Sequence, residues 1–381
     1  MYKILISGMA YDGGKSGISV YMNNMIMELA RKHQVYVVML ESDIKCFPAS
    51  DNPNIRFIKI SDLLGRPVIN MFWHLLVLPF MIMRGKYDFI FLPAANRRAF
   101  LFYPFYTIAV VHDLSQYHIP AKYDLFRMFY IKRILPFCVR RANQLIAVSG
   151  STMNDLIRFW KIPPEKIRVI YNGYDHKLYN CEAGTEPQLK PEAGTEKEYI
   201  LYISRIEHPG KNHLNLIKAY EALPEAIRDK YDLVLAGSFW QGSEPVTKYA
   251  EQSFCRDSIK FTGYIENSAL PSLYRNASLY AFPSLFEGFG LSLLEAMASG
   301  VPVVCSNNSS LAEVAGEAAL KFDPLSVHQI MKCMDSVLSD RGLRNKMIEA
   351  GFQRVKDFDW TQNADKVIEL YEKRSEQYKQ S

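Results

Sequence analysis

LYAFPSLFEGFGLSLLEAMASGVPVVC, residues 279–305, reads as one strand–loop–helix–strand unit. Leu279 to Phe282 is a short apolar run, Glu287-Gly288-Phe289-Gly290 is a tight glycine loop, helical composition follows, and Pro302 to Cys305 is a second apolar run. Apolar strands joined through a helix form parallel βαβ units.

The same alternation extends towards the N-terminus. Strand-like runs stand at Tyr199 to Ile203, Asp232 to Ala236 and Ile259 to Phe261. An earlier series comprises Lys3 to Ser7, Val35 to Leu40, Phe89 to Leu92, Ile108 to Val111, Gln144 to Val148 and Arg168 to Ile170. The expected fold class is therefore α/β, with two doubly wound parallel domains. Between the series EAGTE at 182–186 recurs at 192–196, which reads as a slipped duplication without function in an exposed linker. The expected division is a first domain at 1–180, a linker at 181–198 and a second domain at 199–355.

A chain of 381 residues is long enough for two or three cores. Its 49% apolar and 22% charged residues exclude long disorder and a multi-span membrane protein, and a net charge of +5 is too slight to make nucleic acid the main partner. The six cysteines, at 46, 138, 181, 255, 305 and 333, form no CxxC pair, and the N-terminus lacks a secretory pattern, so a reducing, cytoplasmic location is expected.

Two segments raise the membrane question. Residues 67–83, PVINMFWHLLVLPFMIM, carry no charge but are short for a span and contain Pro67, Asn70, His74 and Pro79; a buried helix is the expectation. Residues 122–141 combine Lys122, Arg127, Lys132, Arg133, Arg140 and Arg141, against the single carboxylate Asp124, with Phe126, Phe129, Tyr130 and Phe137. Such a helix can lie on an anionic bilayer, peripheral to the inner face of the plasma membrane, or be an ordinary helix with solvated charges. Both readings stay open.

Four segments carry chemistry. Gly13-Gly14-Lys15-Ser16-Gly17 follows the first strand and opens a helix, where backbone amides favour an anion, although the spacing is neither GxGxxG nor a P-loop. Val111-His112-Asp113 ends an apolar strand, where open α/β sheets place their ligands, although a lone histidine also serves structural roles. Arg205 and Lys211 follow a strand and precede a helix, as a diphosphate site or as two solvated loop cations. Glu287 and Glu295 stand seven residues apart; Ser292-Leu293-Leu294-Glu295 matches a capping box, which leaves Glu287 and its neighbouring glycines unexplained.

Taken with SGISVYMNNMIMEL, AVSGSTMNDLI, VIYNGYD, SRIEHPGKNH, FTGYIENSALPSLYRNAS and the late FDW, the chain resembles the family 4 retaining glycosyltransferases over nearly its whole length. The resemblance implies the GT-B fold, two Rossmann-like domains facing each other across a cleft. The first would take the acceptor and the second the nucleotide sugar, with a C-terminal helix at 356–381 packing back on the first.

It further implies that Arg205 and Lys211 bind the donor diphosphate, that Glu287 with the amides of Phe289, Gly290 and Leu291 grips the donor sugar, and that Glu295 holds the ribose hydroxyls. Gly17 would shape the loop over the phosphates, His112 would sit beside the transferred sugar, and Tyr264 and Ile265 would flank the base. Ser16 and Ser204 stand where relatives commonly have Gly.

The implied function is transfer of a hexose from a nucleoside diphosphate sugar, with a guanosine diphosphate mannose donor suggested by similarity to polysaccharide mannosyltransferases, to a glycan or lipid-linked acceptor in surface polysaccharide biosynthesis, without a metal or other cofactor. A GT-B nucleotide-sugar epimerase and an inactive scaffold are the alternatives. The absence of GxGxxG after either first strand disfavours an NAD-dependent oxidoreductase.

Overall fold

The computed structural model describes residues 1–48, 51–119, 125–180 and 193–380, the side chains of 125–126 and 375–380 aside. It contains two compact units: Met1–Gly173 with Asp359–Ser381, and Tyr174–Phe358. The first EAGTE copy lies outside the described residues. Within the second copy Ala193 is buried and the Thr195 hydroxyl donates to Asp232 Oδ2 (2.6 Å), while Gly194 and Glu196 are exposed.

The first unit is built on strands β1 (Lys3–Ser7), β2 (Gln34–Leu40), β3 (Ile55–Ile60), β4 (Phe89–Leu92), β5 (Thr107–Val111), β6 (Gln144–Ala147) and β7 (Ile167–Val169). They form one parallel sheet in the order β3-β2-β1-β4-β5-β6-β7. β1, β4 and β5 are buried along almost their whole length, as strands covered by helices on both faces must be.

The order reverses direction between β1 and β4, so the loops after these strands flank a topological switch point, where ligands of open α/β sheets bind. The chain returns to this unit through helix Trp360–Gln380. Trp360 meets Tyr21 edge-on at 5.5 Å, Tyr371 stacks on Phe89 at 4.7 Å, and Lys32 pairs with Asp365 at 2.8 Å. Gly173 is required here, because a Cβ on it would lie 2.6 Å from the Trp360 backbone nitrogen.

The second unit carries β8 (Glu198–Ile203), β9 (Tyr231–Ala236), β10 (Ile259–Gly263), β11 (Leu279–Phe282), β12 (Val303–Ser306) and β13 (Ala319–Phe322), parallel in the order β10-β9-β8-β11-β12-β13. Its switch point falls between β8 and β11. At the C-terminal edge Gly237 holds φ +141°, and a Cβ there would sit 2.0 Å from the Ser204 carbonyl oxygen, so only glycine lets the chain leave β9 alongside β8.

Two expectations are corrected. Segment 67–82 is helical, but it is not buried all round. His74, Leu75, Leu78 and Ile82 face the core while Val68, Phe72, Leu76 and Phe80 are exposed. The capping-box reading of Ser292 and Glu295 also fails, because the helix starts at Leu291 with Gly290 as its N-cap, which puts Ser292 inside the first turn. Of residues 122–141, Lys122 lies outside the described residues. Helix formation there runs from Leu125 to Val139.

Candidate active site

In the second unit, the ends of β8 and β11 bring Arg205, Lys211 and Glu287 to the switch point. Lys211 stands just before helix His213–Glu221, whose N-cap Asn212 takes the left-handed conformation (φ +59°). The Asn212 side-chain amide donates to the carbonyls of Pro283 (2.9 Å) and Pro324 (2.8 Å). Behind it the buried Tyr202 hydroxyl donates to the Lys211 carbonyl (3.0 Å) and meets Ser284 Oγ at 2.9 Å. Lys211 is thus fixed at its backbone from three strands, and its ammonium pairs with Glu287 Oε1 at 2.7 Å.

Glu287 is held in turn. Its amide donates to Ser309 Oγ (3.2 Å), and its carbonyl accepts from Ser310 Oγ (2.9 Å), which also reaches the Phe289 carbonyl (3.0 Å). Phe289 is buried, with its ring edge-on to Phe358. Gly290 holds φ +104°, and a Cβ there would lie 2.7 Å from the Leu311 side chain. The loop therefore closes tightly before Leu291 opens its helix, whose N-terminal end carries partial positive charge.

Arg205 is half exposed. Its guanidinium lies 5.0 Å over the Trp240 ring and 3.3 Å from Glu207. Trp240 follows β9 as Arg205 follows β8, and Tyr264, more than half exposed, follows β10 with the partly covered Ile265 next to it. Gly237 N–H donates to the Gly263 carbonyl (2.8 Å), so the three strand ends are neighbours and share one edge of the sheet.

Glu295, one turn into its helix, is half-buried and accepts from the Tyr274 hydroxyl at Oε2 (2.8 Å). Burial pushes its carboxyl up to about 7, the Tyr274 hydrogen bond working against the shift and the Asp175 charge adding to it.

In the first unit, His112 lies at the end of β5, buried beside the Tyr21 ring at 4.8 Å. Its Nε2 sits 2.7 Å from the Pro93 carbonyl, which can only accept, so Nε2 carries the proton and Nδ1 is the ring's acceptor. Burial lowers its pKa to about 4, leaving the ring neutral at pH 7. Gly17 is the first residue of helix Gly17–Ala30, behind N-cap Ser16. The anion at that loop is the protein's own: Asp12 Oδ1 accepts from the amides of Lys15 and Ser16 (both 3.1 Å) and from the Ser19 hydroxyl (2.6 Å).

Residues 15–178 match the model of "Glycosyltransferase Family 4" and residues 186–354 that of "Glycosyl transferases group 1". The O-antigen chain mannosyltransferase B of Escherichia coli is 32% identical over 266 residues, 69% of each chain. The chain belongs to glycosyltransferase family 4. The E. coli serotype-specific mannosyltransferase WbdA is also 32% identical over 70% of this chain, which spans only 33% of that longer protein.

Among solved structures, sucrose-phosphate synthase from Thermosynechococcus elongatus has a TM-score of 0.76 at 20% identity, covering 98% of this chain and 99% of its own. Anabaena HepE in complex with UDP-glucose has a TM-score of 0.74 at 19% identity, covering 98% and 100%. These likenesses establish the GT-B fold for this glycosyltransferase. Reading the sequence missed Asn212, Trp240, Tyr274, Ser309 and Ser310. Trp240 alone left a signal, since Gly237-Ser238-Phe239-Trp240 leaves its strand as Ser204-Arg205 leaves the strand beside it.

Proposed function

We propose that this glycosyltransferase moves a hexose, mannose first among the candidates, from a nucleoside diphosphate donor to a hydroxyl of a glycan or lipid-linked acceptor, with retention of anomeric configuration, in surface polysaccharide biosynthesis. The observation that carries the reading is the Lys211–Glu287 pair at the β8/β11 switch point, beside a helix N-terminus, with Arg205 leaving the end of β8. Two relatives bearing mannosyltransferase names supply the hexose.

In this reading the bond between the anomeric carbon and the diphosphate oxygen breaks while negative charge grows on the leaving phosphate. Arg205, Lys211 and the helix N-terminus after Gly290 stabilise that charge where it develops. The acceptor oxygen attacks the same face of the sugar, and its proton passes to the departing phosphate oxygen. No side chain is assigned as nucleophile, since Glu287 is tied to Lys211 and serves to hold a sugar hydroxyl. Neutral His112 offers Nδ1 as a hydrogen-bond acceptor to the sugar. Glu295 receives the ribose hydroxyls, and Tyr264 and Ile265 flank the base. The two cations take the part a metal plays in other diphosphate sites, so the reading assigns none.

A thermal-shift panel of nucleoside diphosphates and their sugars tests donor binding. Saturation at 100-fold the dissociation constant adds roughly 2.7 kcal/mol of stability. A guanosine diphosphate sugar giving the largest shift supports the reading; no shift with any nucleotide overturns it.

A further inference from the structure

The loop from Ser204 to Asn212 carries both Arg205 and Lys211, and it closes around one side chain, the His213 imidazole. His213 is the first residue of helix His213–Glu221 and is fully buried. Its Nδ1 lies 3.3 Å from the Glu207 carbonyl, which can only accept, so Nδ1 carries the proton. Its Nε2, 3.1 Å from Ser204 Oγ, is then the acceptor and takes the serine proton. Burial lowers the ring's pKa to about 3, with the Lys211 and His208 charges adding to the shift and the Glu207 hydrogen bond opposing it, so this neutral form persists at pH 7. One imidazole thus ties the start of the loop to its middle.

The two cations are held by different means. The Lys211 carbonyl accepts from the Tyr202 hydroxyl (3.0 Å), the Gly210 carbonyl accepts from Leu285 N–H (2.9 Å), and Asn212 donates to the carbonyls of Pro283 and Pro324. None of these contacts involves the His213 side chain. The guanidinium of Arg205 is fixed instead by the Trp240 ring at 5.0 Å and by the mostly covered Glu207 carboxylate at 3.3 Å. Glu207 is placed in turn by His213, through its carbonyl. A line of contacts therefore runs from Ser204 through His213 and Glu207 to Arg205, and it bypasses Lys211.

We infer that His213 is a positioning residue for Arg205: it fixes the Glu207 main chain, so that the Glu207 carboxylate holds the guanidinium where the donor diphosphate arrives. The inference rests on the reading of Arg205 as a diphosphate ligand. What the position requires is one donor and one acceptor at a set separation, which a neutral imidazole supplies and an aliphatic side chain does not. In His213→Leu the Ser204 hydroxyl can turn to the Arg205 carbonyl, 3.3 Å away, so it keeps a partner, and the Glu207 carbonyl loses one.

The test has two arms, both on the full chain. Hydrogen exchange without ligand reads the loop directly. His213→Leu is expected to speed exchange at 205–208 by about fivefold or more while 210–212 stay at wild-type rates. His213→Gln, which keeps a donor and an acceptor, is expected to restore most of the protection. Ser204→Ala, a change at a partly covered position that leaves the core intact, is expected to loosen the same stretch to a smaller extent.

Titration with guanosine diphosphate and uridine diphosphate reads the consequence. His213→Leu is expected to weaken binding about five- to tenfold in the wild type and in Lys211→Ala, but by less than about twofold in Arg205→Ala, where the interaction it supports is already gone. A histidine that merely stabilised the unit would act equally in all three backgrounds. Thermal melts check that each variant folds. Unchanged exchange at 205–208 in His213→Leu and Ser204→Ala, no recovery in His213→Gln, or an equal loss of affinity in all three backgrounds would overturn the inference. Absence of binding of either nucleotide by the wild type would count against the diphosphate reading, and the exchange arm would still decide the role of His213.

Discussion

The Lys211 ammonium lies 2.7 Å from Glu287 Oε1, and both side chains are mostly covered. In this state the cation is already matched, and each partner anchors to a different strand end of one sheet. Removing either leaves a mostly covered charge without its counter-ion. A diphosphate arriving at Lys211 gives that cation a second anion and leaves the carboxylate available to a sugar hydroxyl.

Lys211→Ala and Arg205→Ala are each expected to lower turnover by tens to roughly a thousandfold, since a charge contact to a developing diphosphate is worth about 2 to 4 kcal/mol. Steady-state kinetics on folded variants check this; near-wild-type turnover in both would remove the diphosphate site from this position.

Glu295 gives a pH signature. A carboxylate accepts ribose hydroxyls better than a neutral acid, so donor affinity is expected to rise with pH through about 7 and then level off. Glu295→Gln should bind more weakly, with a flat profile. The stability sign is opposite. The folded-state value is raised from 4.5, so the contribution is complete below about 4.5, is lost as pH rises towards about 7, and changes no further above it. Calorimetric titration of donor at several pH values, with parallel melts, separates the two effects. Identical profiles in both proteins would contradict the ribose role.

His112, held neutral down to about 4, contributes no inflection near 6.5 to the pH dependence of turnover. A histidine-type inflection that vanishes in His112→Asn would make it a general base instead.

Trp240→Ala removes the ring under Arg205 while changing a half-exposed side chain. A cation–π contact of about 0.5 to 2 kcal/mol predicts roughly two- to thirtyfold weaker donor binding with little change in melting temperature. Unchanged affinity would mean that Glu207 alone positions the guanidinium.

Gly237→Ala is expected to destabilise the second unit by roughly 1 to 3 kcal/mol, because the new methyl meets the Ser204 carbonyl. Denaturant melts measure it, and an unchanged midpoint would show that the backbone yields there.

Of the thirteen strands among the described residues eleven were legible as apolar runs, and the two missed, Ile55–Ile60 and Ala319–Phe322, are both edges of their sheets. Edge strands need less burial. IRFIKI is interrupted by Arg56 and Lys59 and ALKF by Lys321, so neither shows the continuous hydrophobic signature of β4 or β11. Charged residues beside glycine loops were legible for the same reason that the loops are, since strand ends in a doubly wound sheet are marked by where the apolar runs stop.

What holds those residues was not legible. Asn212, Ser309 and Ser310 act through main-chain atoms of Pro283, Pro324, Glu287 and Phe289, far away in sequence or across a turn. Segment 67–83 misled because charge-free sequence signals only the absence of charge. Which side of a helix meets the core depends on the sheet beneath it.

The most direct measurement of the central claim is the product formed from purified protein, a guanosine diphosphate hexose and a mannose-containing acceptor, with its new anomeric centre assigned by NMR. The account predicts acceptor-dependent release of the nucleoside diphosphate and a linkage of the same configuration as the donor, both abolished in Lys211→Ala. An inverted linkage, or an altered nucleotide sugar formed without any acceptor, would contradict it.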